Sequence, residues 1–333
     1  MDTAVTSRMV AKETLKRENY FGLYCLKALC ALFVVIYHVP MAYGHYSIPI
    51  AGIAVPCFFM ISGFLLYSNS KEKEIKTAWK WIKKIILTSV LLQIFYFFVN
   101  YEDIIGQFRN QLDWYLPLLF QGGVLCGALW YLTAFWEALL CFIAVRYFLG
   151  NKLLYIAPVL VILGLYAGRY GFVVGSPVFR PWLFQSFLAA AIPYMSLGYL
   201  VHKHKEHFTG AARWLICAVV FAVLIYLERY FLQDFYTVSN EGTFYIFTMP
   251  LAFSFFILAL NWNKNIRGIV EVGKYHSSNI YYFHLFIAAV LHYLLAPNMI
   301  SLYRNFGAVV VYFLCILMSM LLIRIKKCFR AAH

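Results

Sequence analysis

Apolar runs of roughly 17 to 25 residues, each long enough to cross a hydrocarbon core about 30 Å thick, recur along almost the whole chain. In lipid, every backbone hydrogen bond must be satisfied within the chain, which leaves helices or a closed barrel as the spanning structures. The runs here are continuous and apolar, interrupted by Gly and Pro, whereas barrel strands are segments of about ten residues with alternating polarity. An all-α, polytopic transmembrane helical bundle is therefore expected. Spans are placed near 20–43, 53–68, 84–100, 126–147, 153–170, 182–201, 211–228, 243–261, 276–296 and 305–325, about ten in all. Composition agrees: 63% of the residues are hydrophobic and 13% charged, where a soluble domain carries about 25% charged residues.

This pattern divides the chain into an N-terminal segment over 1–19, a transmembrane unit over 20–325 and a short basic tail over 326–333. No small-residue cleavage site follows the first apolar run, so no cleaved signal peptide is expected. The stretch 112–123 is rich in Trp, Pro and Gly and too short to span, and reads as an interfacial or re-entrant piece. Pro40, Pro56, Pro193 and Pro250 are expected to kink or end helices locally.

Basic residues set the expected orientation. With the N-terminus cytoplasmic, the inner segments hold Arg8, Lys12, Lys16 and Arg17, the loop from Lys71 to Lys84, Arg146 and Lys152, Lys203, Lys205 and Arg213, Lys264, Arg267 and Lys274, and Arg324, Lys326, Lys327 and Arg330. The outer segments hold only Arg109, Arg169, Arg180, Arg229 and Arg304. The positive-inside rule then predicts that both termini are cytoplasmic. The net charge of +14 is accounted for by this bias and by attraction to an anionic inner leaflet, and it does not signal nucleic acid.

The eight cysteines form no C-x-x-C pair, and all but Cys328 fall in or beside apolar runs, so neither a disulfide framework nor a zinc site is expected. His202, His204 and His207 alternate with Lys203, Lys205 and Glu206 and read as a hydrated loop, leaving no metal expected. Nucleotide-binding glycine loops and the H-E-x-x-H motif are absent from the sequence.

Ionisable residues inside apolar helices are costly and mark functional sites. Lys27 and His38 lie in one run, KALCALFVVIYH, roughly 16 Å apart along a helix and close to three turns, so they project from nearly the same face. Lys27 reads either as a side chain that snorkels to the headgroups or as an anchor for a phosphorylated group entering from the cytoplasm. His38 reads as a packing histidine or as a proton acceptor. Glu137, in LWYLTAFWEALL, is a proton acceptor or the partner of a buried cation, with a salt bridge in bundle assembly as the alternative. His284 and His292 lie eight residues apart and share a helix face within about 80°. Ser62 and Gly63 offer a small surface for helix approach.

In these elements the chain resembles the multipass membrane acyltransferase family 3, whose members modify surface sugars and other envelope molecules. The family's first span carries an Arg followed eleven residues later by a His, and Lys27 and His38 stand in those places. A Phe-rich segment ending in Ser-Gly-Phe is matched by Phe58, Phe59, Ser62, Gly63 and Phe64. A Leu-Trp-Tyr/Phe-Leu element is matched by Leu129 to Leu132, and a late Gly, Ser, Tyr-Leu-x-His segment by Gly273, Ser277, Tyr281 and His284. One departure is that Lys27 offers a point charge where the family's Arg offers a rigid fork. No extracytoplasmic esterase-like domain of the kind some relatives carry is expected before His333.

The resemblance implies a bacterial inner-membrane enzyme that transfers an acyl group, usually acetyl, from cytoplasmic acyl-coenzyme A. The acceptor would be a hydroxyl or amine on a carbohydrate, a lipid-linked molecule or another envelope component. It implies donor binding at Lys27, Ser62 and Tyr281, and catalysis at His38 with His284 and Glu137. A neutral histidine with an ordinary pKa near 6.5 is suited to take the acceptor's proton. On depth alone, His284 falls short of His38 and needs helix tilt or a kink to meet it, whereas His292 is nearer in depth but lacks the motif match. The competing reading is a transporter or binding module for a small polar solute such as an amino acid, since a membrane domain resembling this one also accompanies amino-acid racemases.

Overall fold

The computed structural model describes residues 20–42, 44–100, 126–150, 152–167, 169–173, 181–236 and 245–331. They form helices α1 (Phe21–His38), α2 (Gly44–Ala51), α3 (Ala54–Leu66), α4 (Lys71–Val99) and α5 (Trp130–Phe148). There follow the short α6 (Lys152–Ile156), α7 (Val161–Ala167), α8 (Arg169–Val173) and α9 (Pro181–Phe184), then α10 (Ile192–Lys203), α11 (Ala211–Tyr236) and α12 (Thr248–Leu260). The chain ends with α13 (Arg267–Glu271), a π-helical turn (Val272–His276) and α14 (Ser277–Ala331). No strand occurs among the described residues. The protein is an all-helical, membrane-spanning bundle in which seven helical stretches among the described residues are long and apolar enough to cross a bilayer. The shorter apolar stretches Lys152–Tyr166 and Thr248–Leu260 accompany them.

The expected spans at 153–170 and 182–201 are interrupted helices. A 3-10 segment, Ala157–Leu160, with Pro158 in its first turn, breaks the first, and a π-helical turn, Phe187–Ala191, precedes α10 in the second. Pro193 sits directly after this π-helical turn, at the point where the widened helix returns to α geometry. The stretch 112–123 lies outside the described residues.

The basic segment from Lys71 to Lys84, expected as a loop, is instead the first half of a 29-residue helix. Nothing in it breaks a helix. Ser70 caps it by accepting from the Lys73 N–H at 3.4 Å, Glu72 and Glu74 lie in the first turn, and Glu72 pairs with Lys76 at 2.6 Å. The spans expected at 276–296 and 305–325 are the two arms of α14, which doubles back at Met299, a residue with non-helical backbone angles. Ser319 accordingly meets His276 at 2.8 Å, and the Tyr303 hydroxyl donates to the Ala288 carbonyl at 3.4 Å.

Apolar residues cover the outside as well as the inside. Leu87, Leu91, Ile94 and Phe98 form an exposed stripe at helical spacing on α4, as do Leu215, Val219, Val223 and Leu227 on α11, which suits faces turned to lipid. Because lipid is as apolar as leucine, close packing must hold the helices together. The α3–α10 contact shows it: a Cβ on Gly63 would overlap the Met195 carbonyl, and one on Gly198 would overlap the Met60 carbonyl. Phe59, Met60, Phe64, Tyr194 and Tyr199 are fully buried around this seam.

Candidate active site

Two cavities share Tyr281 as a wall. The first, of about 280 Å³, is lined by Lys27 from α1, Ser62 from α3, Trp81 and Lys84 from α4, Tyr131 from α5 and Tyr281 from α14. No carboxylate is among its lining residues. The second, of about 170 Å³, is lined by Tyr37 and His38 at the end of α1, with Gly52, Trp130, Gln185 and Tyr281. Lys27 and His38 thus share a helix but face different chambers.

The wall between the chambers is aromatic and pinned. The Tyr281 hydroxyl donates to the Ala128 carbonyl in the 3-10 turn Gly127–Leu129 that leads into α5. The Tyr131 ring lies 5.2 Å from that of Tyr281 and 4.7 Å from that of Phe59. At the other end of the same helical segment, a Cβ on Gly273 would overlap the Tyr24 carbonyl, so only glycine lets the π-helical turn lie against α1. Ser277, whose hydroxyl donates back to the Gly273 carbonyl at 2.8 Å, lines the first cavity one turn before Tyr281.

His38 and His284 meet, with ring centroids 5.3 Å apart. The depth mismatch expected between them disappears because the helical segment bearing His284 begins at Arg267 and runs through the π-helical turn, well before residue 276. Each histidine then stands seventeen residues from the start of its own helical stretch, roughly 25 Å in. His284 is fully buried and its Nδ1 lies 2.8 Å from the Tyr281 carbonyl. A carbonyl only accepts, so Nδ1 carries the proton and Nε2 bears a lone pair. That Nε2 is buried and has no hydrogen-bond partner among the described residues. His292 is exposed and packs 5.2 Å from the Tyr303 ring, away from both chambers.

The other candidate residues fall in different places. The Ser62 hydroxyl lines the first cavity but donates to the Phe58 carbonyl at 2.8 Å within its own helix. Glu137 is half-buried on α5, lines neither chamber, and its Oε2 is buried without a hydrogen-bond partner among the described residues. His202 is half-buried on α10, stacked 4.3 Å from Phe64 with Nδ1 2.6 Å from the Phe64 carbonyl, so it is no part of a hydrated loop. The ligand atoms of His204, Glu206 and His207 lie within 4.8 Å of one another at the surface, where they form the one cluster of the described residues with the composition to hold a metal.

Two features were not anticipated from the sequence. Lys84, counted there as one loop lysine among several, lines the first cavity. Glu74 is fully buried and forms an ion pair with Arg146 at 2.7 Å, while accepting from the Tyr199 hydroxyl at 2.8 Å and the Ser68 N–H at 3.0 Å. This knot ties α4, α5 and α10 together. Satisfied on several sides, it is costly to break at one partner.

A polytopic helical bundle with cavities that carry a few polar side chains suits an integral membrane enzyme or carrier, and comparison with known proteins identifies which family. The chain belongs to the multipass membrane acyltransferase family 3, whose model, described as an acyltransferase domain, matches residues 20–324. The chain is also similar to an amino-acid racemase of Enterococcus faecalis, with 25% identity over 293 residues that cover 79% of this chain and 39% of that protein. It therefore spans about two fifths of the length of that curated relative. No solved structure matches the chain.

Proposed function

We propose that this protein transfers an acyl group, acetyl in the first instance, from cytoplasmic acyl-coenzyme A to a hydroxyl or amine of an envelope-associated acceptor, in the inner membrane of a bacterium. The observation that carries this reading is the pair of chambers meeting at Tyr281, one bearing lysines and the other bearing His38 against His284. A donor held by Lys27 in the first chamber extends its thioester past Tyr281 towards the second. The acceptor occupies the second chamber, where neutral His38 takes its proton as the oxygen or nitrogen attacks the thioester carbonyl. The new acyl bond forms as the carbon–sulfur bond breaks. The thiolate then leaves with coenzyme A, and the proton on His38 is available to it.

His284 acts in this scheme as the positioning residue. Its Nδ1 proton is committed to the Tyr281 carbonyl, so Nε2 is free to accept an N–H from His38. At the observed ring separation a modest rotation brings nitrogens to roughly 3 Å, within hydrogen-bond reach. That bond would fix the His38 tautomer and leave its other nitrogen as the base, the role an orienting group plays in nucleophile–base pairs. Lys27 supplies charge to the donor phosphates, with Ser62 and Tyr281 in the wall beside them. Glu137, away from both chambers, is a bundle residue in this scheme.

A second reading has one observation in its favour, the similarity to a protein named an amino-acid racemase. Under it the chambers bind or pass a small amino acid. Purified protein with labelled acetyl-coenzyme A separates the two. Coenzyme A release that depends on His38, falling on the order of 10² to 10⁴ in rate in His38→Ala with donor binding retained, is the expected result. Uptake of a labelled amino acid into vesicles with no coenzyme A dependence would overturn the acyltransferase reading in favour of the second.

A further inference from the structure

Lys84 and Lys27 reach the same 280 Å³ cavity from α4 and α1, and neither makes an ion pair among the described residues. The remaining polar lining is hydroxyl, from Ser62, Thr88, Ser277, Ser278, Tyr131 and Tyr282 among others, and the indole N–H of Trp81, with no acidic side chain. Two like charges sharing a cavity inside a membrane protein repel each other more strongly than in water, and the arrangement is stabilised by an anion between them. The approach to the cavity is basic as well. Lys73, Lys76 and Lys80 precede Lys84 on α4 at helical steps of three and four residues, so the four lie on one face, rising roughly 16 Å along the axis. Lys73, Lys76 and Lys80 line an open depression with Glu72, whose carboxylate is taken up by Lys76 at 2.6 Å.

We infer that Lys27 and Lys84 together form a polyanion site that takes a ligand bearing at least two phosphate charges, led in along the lysine face of α4. The inference deepens the donor reading above by adding Lys84 as a binding residue and by setting the charge class of the ligand. One lysine would hold a single phosphate or carboxylate. A pair from two helices suits a diphosphate, since each ammonium, a compact point charge on a flexible stem, can meet a different phosphate. The same chemistry is offered by a soluble nucleotide diphosphate such as coenzyme A and by an anionic lipid headgroup such as cardiolipin.

Calorimetry on the full chain in zwitterionic nanodiscs tests this, with coenzyme A and inorganic pyrophosphate as probes at low and high salt. Lys84→Gln is expected to weaken both by on the order of tenfold or more, as the loss of a charge-assisted hydrogen bond requires, and to flatten the salt dependence. Lys84→Arg should retain most of the affinity, and Lys326→Gln, on a basic tail outside the cavity, should change neither. Lys84→Met replaces the Gln variant if that elutes as aggregate. Loss of co-purifying cardiolipin in Lys84→Gln, with no coenzyme A or pyrophosphate binding by wild type, assigns the site to a lipid headgroup. Wild-type affinity for both probes together with undiminished cardiolipin in Lys84→Gln overturns the inference. The two readings fail separately: polyanion binding without acyl transfer leaves this site standing and removes the acyltransferase, whereas acyl transfer with an unaffected Lys84→Gln does the reverse.

Discussion

His284 has one nitrogen spent and one unspent, and that asymmetry distinguishes it from His38. Its committed Nδ1 makes it a poor shuttle and a good orienter. His284→Ala is therefore expected to lower kcat while leaving the KM for the acyl donor near wild type, since the donor chamber is lined without it. His284→Gln, whose amide can still accept a hydrogen bond, should recover part of the loss. The pH profile gives an independent check. A neutral histidine is the working base, so the rate should be low under acid conditions, where the imidazole is protonated, and rise as the pH is raised. A His284→Ala enzyme with an unchanged kcat and pH profile would make the residue a packing group. At this scale the sequence placed Lys27 and His38 on one helix, but their spacing, which suggested a common face, did not show that they line different chambers. The His38–His284 contact was not legible, because it depends on where the second helix begins, and a π-helical turn across Val272–His276 reads in sequence as a polar boundary. Lys84 was hidden differently, as one lysine in a run that charge counting assigns to solvent.

Helix contacts in this bundle depend on backbone approach, and the α3–α10 seam is the clearest case. Gly63 and Gly198 each face a carbonyl of the opposite helix, at Met195 and Met60 respectively. A methyl group at either position has backbone in its way, and backbone cannot rotate aside as a side chain can. Gly63→Ala and Gly198→Ala should each destabilise the protein by about 1 to 3 kcal/mol, the usual cost of overpacking. Because both push the same two helices apart, the double variant should cost less than the sum. Unfolding in detergent, followed by tryptophan fluorescence, reads both quantities, and single variants as stable as wild type would show that the seam can open without loss. The seam also shapes the first cavity, since α3 carries Ser62, one position from Gly63, and Phe58, five positions from it, into the lining. The sequence indicated a small surface at Ser62 and Gly63 but not its partner, because a short glycine-containing motif names no second helix. Helix ends were less legible than helix centres. Ser70, Glu72 and Glu74 continue α4 a full half-length beyond its apolar stretch, and hydropathy has no means of showing an extension built from caps and i,i+4 pairs.

On the scale of the whole molecule, the two chambers lie one after the other along α1, with Lys27 near its start and His38 at its end. The lysine face of α4 leads to the first, and the reversal of α14, where Ala42 and Ala308 bond to Asn305 and Pro40 at 3.0 and 3.1 Å, closes the end beyond the second. If the basic ends face the cytoplasm, as the positive-inside rule requires, the donor enters from inside and the acceptor meets it in the outer half. Sidedness then follows from structure and can be measured. In sealed inverted vesicles, acetyl-coenzyme A added to the bath should support acyl transfer, because the lysine entrance faces the bath. In right-side-out vesicles of the same preparation it should not, until a detergent opens them. Single cysteines placed at Arg267 and Ala42 in a background without the native cysteines provide the topological control. In intact cells a membrane-impermeant maleimide should modify the cysteine at 42 and spare that at 267. Equal transfer from both faces of sealed vesicles, with that labelling pattern intact, would mean that the donor does not enter along α4 and that the two chambers are not donor and acceptor sites in series. Reversed labelling with transfer only in right-side-out vesicles would keep the chambers in series and invert the orientation.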